Sequence, residues 1–192
     1  MSDPAESLDT WYVALVRGVA PSTPPRNNAS IVAALATLGF SGLTAVLSSG
    51  NYVFSTRPTD TGALEARIEG MFASQLGATM PTMVRTREQL RRLVDHNPLA
   101  GVPHGPGSYQ LVTFFKQPVT FPLPLEPAGR AFRLAGCVDG TLFSVTDNTA
   151  DQTVSLMGWL ERQYTTQLTS RTPLTLQKIL ARMPAPAGGS AG

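Results

Sequence analysis

Apolar positions in the first hundred residues alternate between the two-residue period of strands and the 3.6-residue period of helices. Runs rich in aromatic and β-branched residues predict strands over residues 11–16, 43–47, 52–55 and 80–85. Between the last two strands, an apolar stripe predicts a helix that ends at Gly77. The stripe consists of Leu64, Ile68, Met71, Phe72 and Leu76.

Two further helices are marked by residues at their ends. Asn28 is the predicted N-cap of a helix with Ile31 on its apolar face, and Gly39 stands where a C-terminal glycine cap belongs. Thr86 and Gln89 have the spacing of a capping box, which predicts a helix directly after the fourth strand. The resulting order, β-α-β-β-α-β with a trailing helix, is that of a ferredoxin-like fold.

The second half of the chain shows a weaker version of the same pattern. Strands are predicted over residues 109–115, 131–134 and 141–145, and a proline-rich crossover over 117–127 separates the first two. Two helices follow, one of them ending near residue 164. The predicted fold class is therefore α+β: a ferredoxin-like βαββαβ half followed by a degraded ferredoxin-like half of the order β-crossover-β-β-α-α.

The starts of the last two helices are predicted from capping chemistry. Thr149 or Asp151 begins the first of them, and the pair Thr172 and Pro173 supplies an N-cap and a first-turn proline for the second.

Proline and glycine mark the predicted boundaries. The domain prediction is a flexible arm over residues 1–9, subdomains over 10–99 and 108–183, and a flexible tail over 184–192.

Composition narrows the class of protein. Hydrophobic residues make up 42% of the 192 residues and charged residues 15%, which argues against disorder. Fifteen basic and thirteen acidic residues leave a net charge of +2, which is too small for the electrostatic footprint of a nucleic-acid-binding protein. The acidic, polar start is unlike a signal peptide, and no apolar run has membrane-spanning length, so we expect a cytoplasmic protein without membrane contact.

The residues that bind metals and carry out nucleophilic catalysis are scarce. Cys137 is the single cysteine, which excludes an intrachain disulfide and a thiolate cluster. The two histidines, His96 and His104, lack the spacing of a metal site and are expected at the surface. No nucleophile–base pair and no phosphate-loop or dinucleotide signature is present, so we predict no metal and no cofactor, and no reaction is assigned.

Four short sequences occur in an order that resembles a known family. They are VALVRGV at residues 13–19, VLSSGNYVFS at 46–55, MVRT with the later HNPL at 83–99, and TSRTPLTLQKIL at 169–180. In this order they resemble a bacterial family catalogued as domain of unknown function 1697. The resemblance spans residues 12–183 and implies a two-part α+β fold with ferredoxin-like character, without an established activity.

The chain departs from the family pattern at two places. After Arg17, the family's glycine-rich segment with its lysine is replaced by a segment with three prolines that ends at Arg26. Prolines remove backbone donors that an anion would use, and Arg26 is a possible source of the missing positive charge from a different point of the backbone. The family's late Arg-Asn-Trp is here Arg171, Thr172 and Pro173.

The candidate site consists of residues at the ends of predicted elements: Arg17, Gly18, Ser49, Asn51 and Arg171. Guanidinium groups bind phosphates and carboxylates in a bidentate manner, and hydroxyl and amide groups add hydrogen bonds. We therefore predict that a small anionic molecule binds in a cleft between the two halves. The alternative for each is structural: an arginine paired with an acidic neighbour, ordinary hairpin chemistry, and an N-cap beside a solvated arginine.

Two other functions are weighed against anion binding. Tyr52 and Phe54 share a strand face, as the aromatic platform of an RNA-binding ferredoxin-like sheet would, although core packing explains both rings. The second alternative function is that of a protein-interaction module without catalysis. Among further charged residues, Arg85 is expected to pair with Glu88 or Glu65.

Overall fold

The computed structural model describes residues 9–123, 130–149 and 155–185. The chain forms two compact units: residues 1–87 with 178–192, and residues 88–177. The predicted arm up to residue 8 and the tail from residue 186 lie outside the described residues.

In this division the helix after residue 87 belongs to the second unit, and the end of the chain belongs to the first. The predicted subdomain bounds, 10–99 and 108–183, stay a prediction. No helix among the described residues combines the length and hydropathy needed to cross a membrane.

The first unit is a four-stranded antiparallel sheet in the order β2-β3-β1-β4, with helices in the two crossovers. This is the predicted ferredoxin-like arrangement. Its elements are β1 (Thr10–Val16), α1 (Asn28–Ala36), β2 (Ser41–Ala45), β3 (Asn51–Thr56), α2 (Thr61–Leu76) and β4 (Thr82–Thr86).

Aromatic side chains from β1 and β3 form the centre of the core between this sheet and its two helices. Tyr12 and Phe54 lie opposite each other in the register with ring centroids 5.7 Å apart, and Phe40 stacks on Phe54 at 4.1 Å. Ile68 and Phe72 of α2 are fully buried against them. The helix stripe read from the sequence is therefore the face that packs on the sheet.

The start of α1 differs from the prediction by one residue. Asn27, not Asn28, is the N-cap, and its side chain accepts a hydrogen bond from the amide of Ser30 at 2.9 Å. Either of the two adjacent asparagines fits the N-cap signal in the sequence. The side-chain amide of Asn28 instead makes tertiary hydrogen bonds, which are described below.

The edge strand β4 is protected by two carboxylates of α2. Glu69 Oε1 accepts from the amide of Thr82 at 2.8 Å, and Glu65 Oε1 accepts from the amide of Val84 at 2.9 Å. These amides point away from β1, because Arg85 and Met83 are the residues in its hydrogen-bonded register positions. A row of donors that another strand could have paired with is thereby satisfied within the unit.

Glu65 also confirms one of the two predicted partners of Arg85. The Glu65 and Arg85 side chains approach to 3.7 Å, and both are largely buried. Burial lowers the pKa of Arg85 from its ordinary value, and the Glu65 carboxylate opposes that shift.

The second unit contains another four-stranded antiparallel sheet, in the order β6-β7-β5-β8. Its elements are α3 (Arg87–Asp95, of which residue 87 belongs to the first unit), β5 (Tyr109–Phe115), β6 (Phe132–Val138), β7 (Thr141–Thr146), α4 (Leu156–Gln163), β8 (Leu168–Arg171) and the start of α5 (Pro173–Leu180).

Strand β8 was missed in the sequence, and it changes the picture of the second half. No strand was predicted between the last two helices, whereas residues 168–171 pair with β5 as a full edge strand. The strand has four residues, two of them hydroxyl-bearing, so it carries too little periodicity to be seen. The second sheet is therefore complete, and only the helix of its first crossover is absent from the described residues.

The last two helices begin at side-chain caps. Ser155, not Thr149 or Asp151, caps α4, accepting from the amide of Gly158 at 3.2 Å; Asp151 lies outside the described residues. Thr172 Oγ1 accepts from the amide of Thr175 at 3.2 Å, as predicted for α5.

The two sheets share one hydrogen-bond register. In the first unit Val13 lies opposite Val53 on one side and Arg85 on the other. In the second, Val112 lies opposite Phe143 and Arg171.

Details beyond the strands follow the same correspondence. Four residues after each central valine, the amides of Arg17 and Lys116 donate to carbonyls at 2.9 and 3.1 Å. Both β2–β3 and β6–β7 contain one irregularity, just before Thr44 and Gly136 respectively. The second unit thus repeats the strand frame of the first, although no sequence repeat is visible.

Candidate anion site in the first unit

Strand β1 ends at a tight turn next to the residue that precedes β4. The amide of Arg17 donates to the carbonyl of Pro81 at 2.9 Å, which extends the β1–β4 ladder by one position. Gly18 follows with φ of 78°, a left-handed conformation that glycine adopts without a Cβ penalty. Arg17 is half-buried and Gly18 is exposed.

The β2–β3 hairpin approaches this turn directly. The amide of Val16 donates to the carbonyl of Gly50 at 2.8 Å. Gly50 has φ of 79°, and a Cβ on it would lie 2.6 Å from the Val16 oxygen and 2.7 Å from Val19 Cγ2. Only glycine fits here, so the hairpin tip and the turn after β1 are packed against each other.

Asn51 is the residue that shapes the hairpin tip. It is fully buried, and its Nδ2 donates to the carbonyl of Val46 at 2.9 Å and to Ser49 Oγ at 3.0 Å. The amide is therefore occupied with turn chemistry, which is the structural alternative considered for it. Ser48 and Ser49 are exposed at the tip.

A second asparagine anchors the tip to the start of α1. Asn28 Oδ1 accepts from the Tyr52 hydroxyl at 2.7 Å, and its Nδ2 donates to the carbonyl of Leu47 at 3.2 Å. Leu47 itself has φ of 61°, an uncommon conformation for a branched side chain, and is 46% exposed. The tip is thus held by side-chain amides on both sides.

The proline-rich segment after Gly18 folds back on itself. The amide of Ala20 donates to the carbonyl of Arg26 at 2.9 Å, and two further backbone hydrogen bonds of 2.9 Å link Thr23 to Ala20 and Arg26 to Thr23. As a result Arg26 Nη1 lies 3.7 Å from the position of a Cβ on Gly18. A positive charge from the far end of the loop is brought back to the residue next to Arg17.

The Arg26 guanidinium is exposed and makes no hydrogen bond or ion pair with the part of the chain that the structure describes. Arg17, by contrast, has interactions within the protein. The carboxylate of Glu69 lies near this end of the sheet through its bond to the amide of Thr82, the residue opposite Val16.

Arg171 belongs to the second unit and is described there by itself. It is the last residue of β8 and is only 7% exposed. Its Nη1 donates to Thr169 Oγ1 and to the carbonyl of Ser170, both at 2.7 Å. Arg85 makes the equivalent bond to the carbonyl of Val84 at 2.8 Å, so a buried arginine at this register position is common to both units.

Sequence reasoning thus brought together four residues that the structure also places in one unit: Arg17, Gly18, Ser49 and Asn51. It named Arg26 as a source of positive charge but did not include it among the site residues, because only the backbone path of the loop shows where the side chain returns. The role of all five predicted residues in binding stays a prediction, and Arg171 enters it as a buried residue rather than a solvated one.

The other candidates have structural roles. Tyr52 and Phe54 are fully buried in the helix-facing core and present no exposed aromatic platform. Both histidines are exposed, as predicted, and within the described ranges no three acidic, histidine or cysteine side chains gather as metal ligands would.

Cys137 is exposed at the end of β6. Partial desolvation and, to a smaller extent, the Asp139 carboxylate raise the pKa of its thiol, against the effect of a backbone hydrogen bond from Gly140. This is the reverse of what activates a nucleophilic thiol.

Comparison with protein families identifies the chain. A family model described as a protein of unknown function, DUF1697, matches residues 10–126, more than half of the sequence. The chain belongs to the DUF1697 family. The matched region includes the Arg17 turn, the hairpin and the loop to Arg26.

Solved structures give the same fold. The conserved bacterial protein SP0830 from Streptococcus pneumoniae matches with a TM-score of 0.65 and 16% sequence identity, over 92% of this chain and 99% of its own. At this identity the match establishes the ferredoxin-like α+β fold alone. A search of curated proteins found no match.

Proposed function

We propose that this DUF1697 protein binds a small molecule bearing a phosphate or carboxylate at the corner of the first unit formed by Arg17, Gly18, Arg26 and the Ser48–Ser49 tip. The observation that carries the proposal is the return of the Arg26 guanidinium to within 3.7 Å of the Cβ position of Gly18. This loop replaces the glycine-rich segment of the family and still supplies a cation at the same turn.

Electrostatics supports this choice of ligand. The Arg26 guanidinium lies beside Gly18, and a bound anion would interact favourably with its exposed positive charge. The planar guanidinium presents paired N–H donors that match the oxygens of phosphate and carboxylate groups. The exposed hydroxyls of Ser48 and Ser49 at the hairpin tip add neutral donors.

The corner is also preorganised. Gly50 and Asn51 fix the tip, Asn28 ties it to α1, and three backbone hydrogen bonds fix the loop that carries Arg26. A site that is already ordered loses little conformational entropy on binding.

The proposal is tested by removing one positive charge. Arg26→Gln removes the guanidinium charge and is expected to weaken binding of inorganic phosphate, pyrophosphate or a dicarboxylate by about tenfold or more, the value of one charge-assisted hydrogen bond. Binding is measured by isothermal titration calorimetry at low ionic strength, where surface electrostatics is least screened.

Arg57→Gln is the matched control. Arg57 is an exposed arginine of the same unit that follows β3 at the opposite end of the sheet. We expect it to leave anion binding unchanged. Equal losses in both variants, or no anion binding by the parent protein, would show that the corner is not the site.

A further inference from the structure

The second unit contains a cavity of about 410 Å³ on the face of its sheet that α4 packs against. Its described lining comes from β5, the end of β7 and the start of α4. This volume lies within the range of small-molecule sites, about 300–1,000 Å³.

Part of the cavity lies where the second unit has an aliphatic side chain in place of a ring of the first. The pair Tyr12 and Phe54 of the first sheet corresponds by register to Leu111 and Ser144. The first pair is almost completely buried with stacked rings, and Phe40 stacks on Phe54. Of the two replacements, Leu111 lines the cavity, so a smaller side chain on β5 leaves space there.

The floor and walls are apolar. Leu111, Leu156 and Met157 line the cavity, and Met157 Sδ accepts a hydrogen bond from Ser170 Oγ at 3.0 Å, which fixes the thioether in the wall. Thioether sulfur makes favourable contacts with aromatic rings, so these walls suit a flat ring.

The rim is polar and uncharged. Tyr109, Thr146, Asn148 and Ser155 line it, and no charged side chain is among the described lining residues. Thr146 Oγ1 donates to Asn148 Oδ1 at 2.8 Å and so fixes the direction of that amide. The Asn148 Nδ2 donor makes no hydrogen bond to the described residues and remains available to a ligand. The Tyr109 ring is held by His104, at 4.7 Å between centroids.

We propose that this cavity binds a neutral, flat nitrogen heterocycle of the size of a nucleobase or nucleoside. Apolar walls take the faces of the ring, and the amide with the neighbouring hydroxyls takes the donor and acceptor groups on its edge. The absence of charge in the described lining distinguishes this site from the anion corner of the first unit, and the two proposals stand independently.

Adenosine, uridine and indole are the probes, titrated to millimolar concentration with calorimetry and amide chemical shifts as readouts. The expected result is saturable binding of at least one probe, with shifts concentrated at residues 109–111, 146–148 and 155–157. Arg26→Gln is expected to leave this binding unchanged, and inorganic phosphate is expected not to compete.

Two variants test the location. Leu111→Phe restores a ring at the equivalent of Tyr12 and is expected to weaken binding at least tenfold while leaving the thermal unfolding temperature equal or higher. Asn148→Ala removes the amide and is expected to weaken binding about tenfold, the value of one hydrogen bond. Gln163→Ala, which removes an exposed amide at the far end of α4, is the matched control.

Binding that is lost in the two cavity variants and kept in Gln163→Ala supports the site. Should Leu111→Phe fail to fold, the comparison of Asn148→Ala with Gln163→Ala decides. The proposal is overturned if no probe binds saturably, if the cavity variants bind as well as the parent, or if phosphate displaces the probe.

Discussion

Gly50 is the residue on which the geometry of the anion corner depends. Its left-handed backbone and its contact with the Val16 carbonyl join the hairpin tip to the turn after β1. Asn51 then fixes the tip, and the loop after Gly18 returns Arg26 to the turn. Each of these three residues affects the corner through the position in which its neighbours hold it, as well as through its residue type.

A glycine-to-alanine pair separates steric contact from backbone strain. Gly50 and Gly77 both have positive φ, at 79° and 59°, but a Cβ on Gly77 meets nothing within 4 Å. Gly77→Ala is expected to cost about 1 kcal/mol through strain alone. Gly50→Ala is expected to cost about 2–4 kcal/mol, since it adds a clash with backbone.

The free energy of unfolding from urea titration measures both variants. Equal destabilisation in the two would mean that the hairpin moves away from Val16 without cost, which would remove the basis for a preorganised corner. The Gly50 variant is also expected to weaken anion binding in proportion to its displacement of the tip.

At the scale of elements, α2 does more than cover the sheet. Its glutamates at positions 65 and 69 satisfy two amides of the edge strand β4, and Glu65 also neutralises the buried part of Arg85. The helix thus replaces a neighbouring strand along that edge. Removing the Glu65 carboxylate takes away the acceptor of the Val84 amide and the ion-pair partner of the Arg85 guanidinium.

The expected cost is large for a single substitution. Glu65→Ala should destabilise the protein by about 3–5 kcal/mol, because it breaks a buried pair. Glu88→Ala is the control: Glu88 pairs with Arg91 at 3.1 Å on an exposed helix face, and its loss should cost less than about 1 kcal/mol. Thermal and urea unfolding measure the difference, and similar values for the two would contradict the buried role of Glu65.

Many of the helices and strands could be predicted from the sequence. Helix α2 and strand β5 have strong periodic patterns, and both were predicted. Strand β8 was missed because four residues with two hydroxyls show neither period clearly, and its pairing with β5 is a tertiary effect. Asn51 was recognised as a hairpin residue, but its burial is visible only once Val46 and Ser49 are placed around it.

The candidate site could also be predicted in part from the sequence. Arg17 and the Ser-Ser-Gly-Asn turn stand at the ends of elements that a ferredoxin-like sheet brings together. The position of Arg26 depends on the path of a loop with three prolines, and the cavity at Leu111 depends on which residues face each other across two strands. Neither has a local sequence signal.

At the scale of the whole molecule, the chain consists of two units with one strand frame and different interiors. Both interiors contain packed aromatic rings, but the second also has hydroxyl-bearing residues at Thr113, Ser144 and Ser170 on its sheet. Thr113 and Ser170 bond to each other at 2.7 Å, so these two hydroxyls are satisfied within the unit.

The two frames predict a pattern of hydrogen exchange. The inner strands β1, β3, β5 and β7 are each paired on both sides, so their amides are expected to exchange slowest. The edge strand β2 is largely exposed and should exchange several orders of magnitude faster. Mass spectrometry of peptic peptides provides the measurement. Fast exchange throughout β5 would contradict a second independent core.

The shared register also provides a rule for reading relatives whose sequences have diverged too far for identity to guide. Each strand can be numbered from its central valine, Val13 or Val112, and the residues opposite it follow. An aromatic residue at the position of Leu111 in a family member would fill the cavity of the second unit, whereas an aliphatic one would leave it open. This one position would then separate family members that can bind a small molecule there from members that cannot.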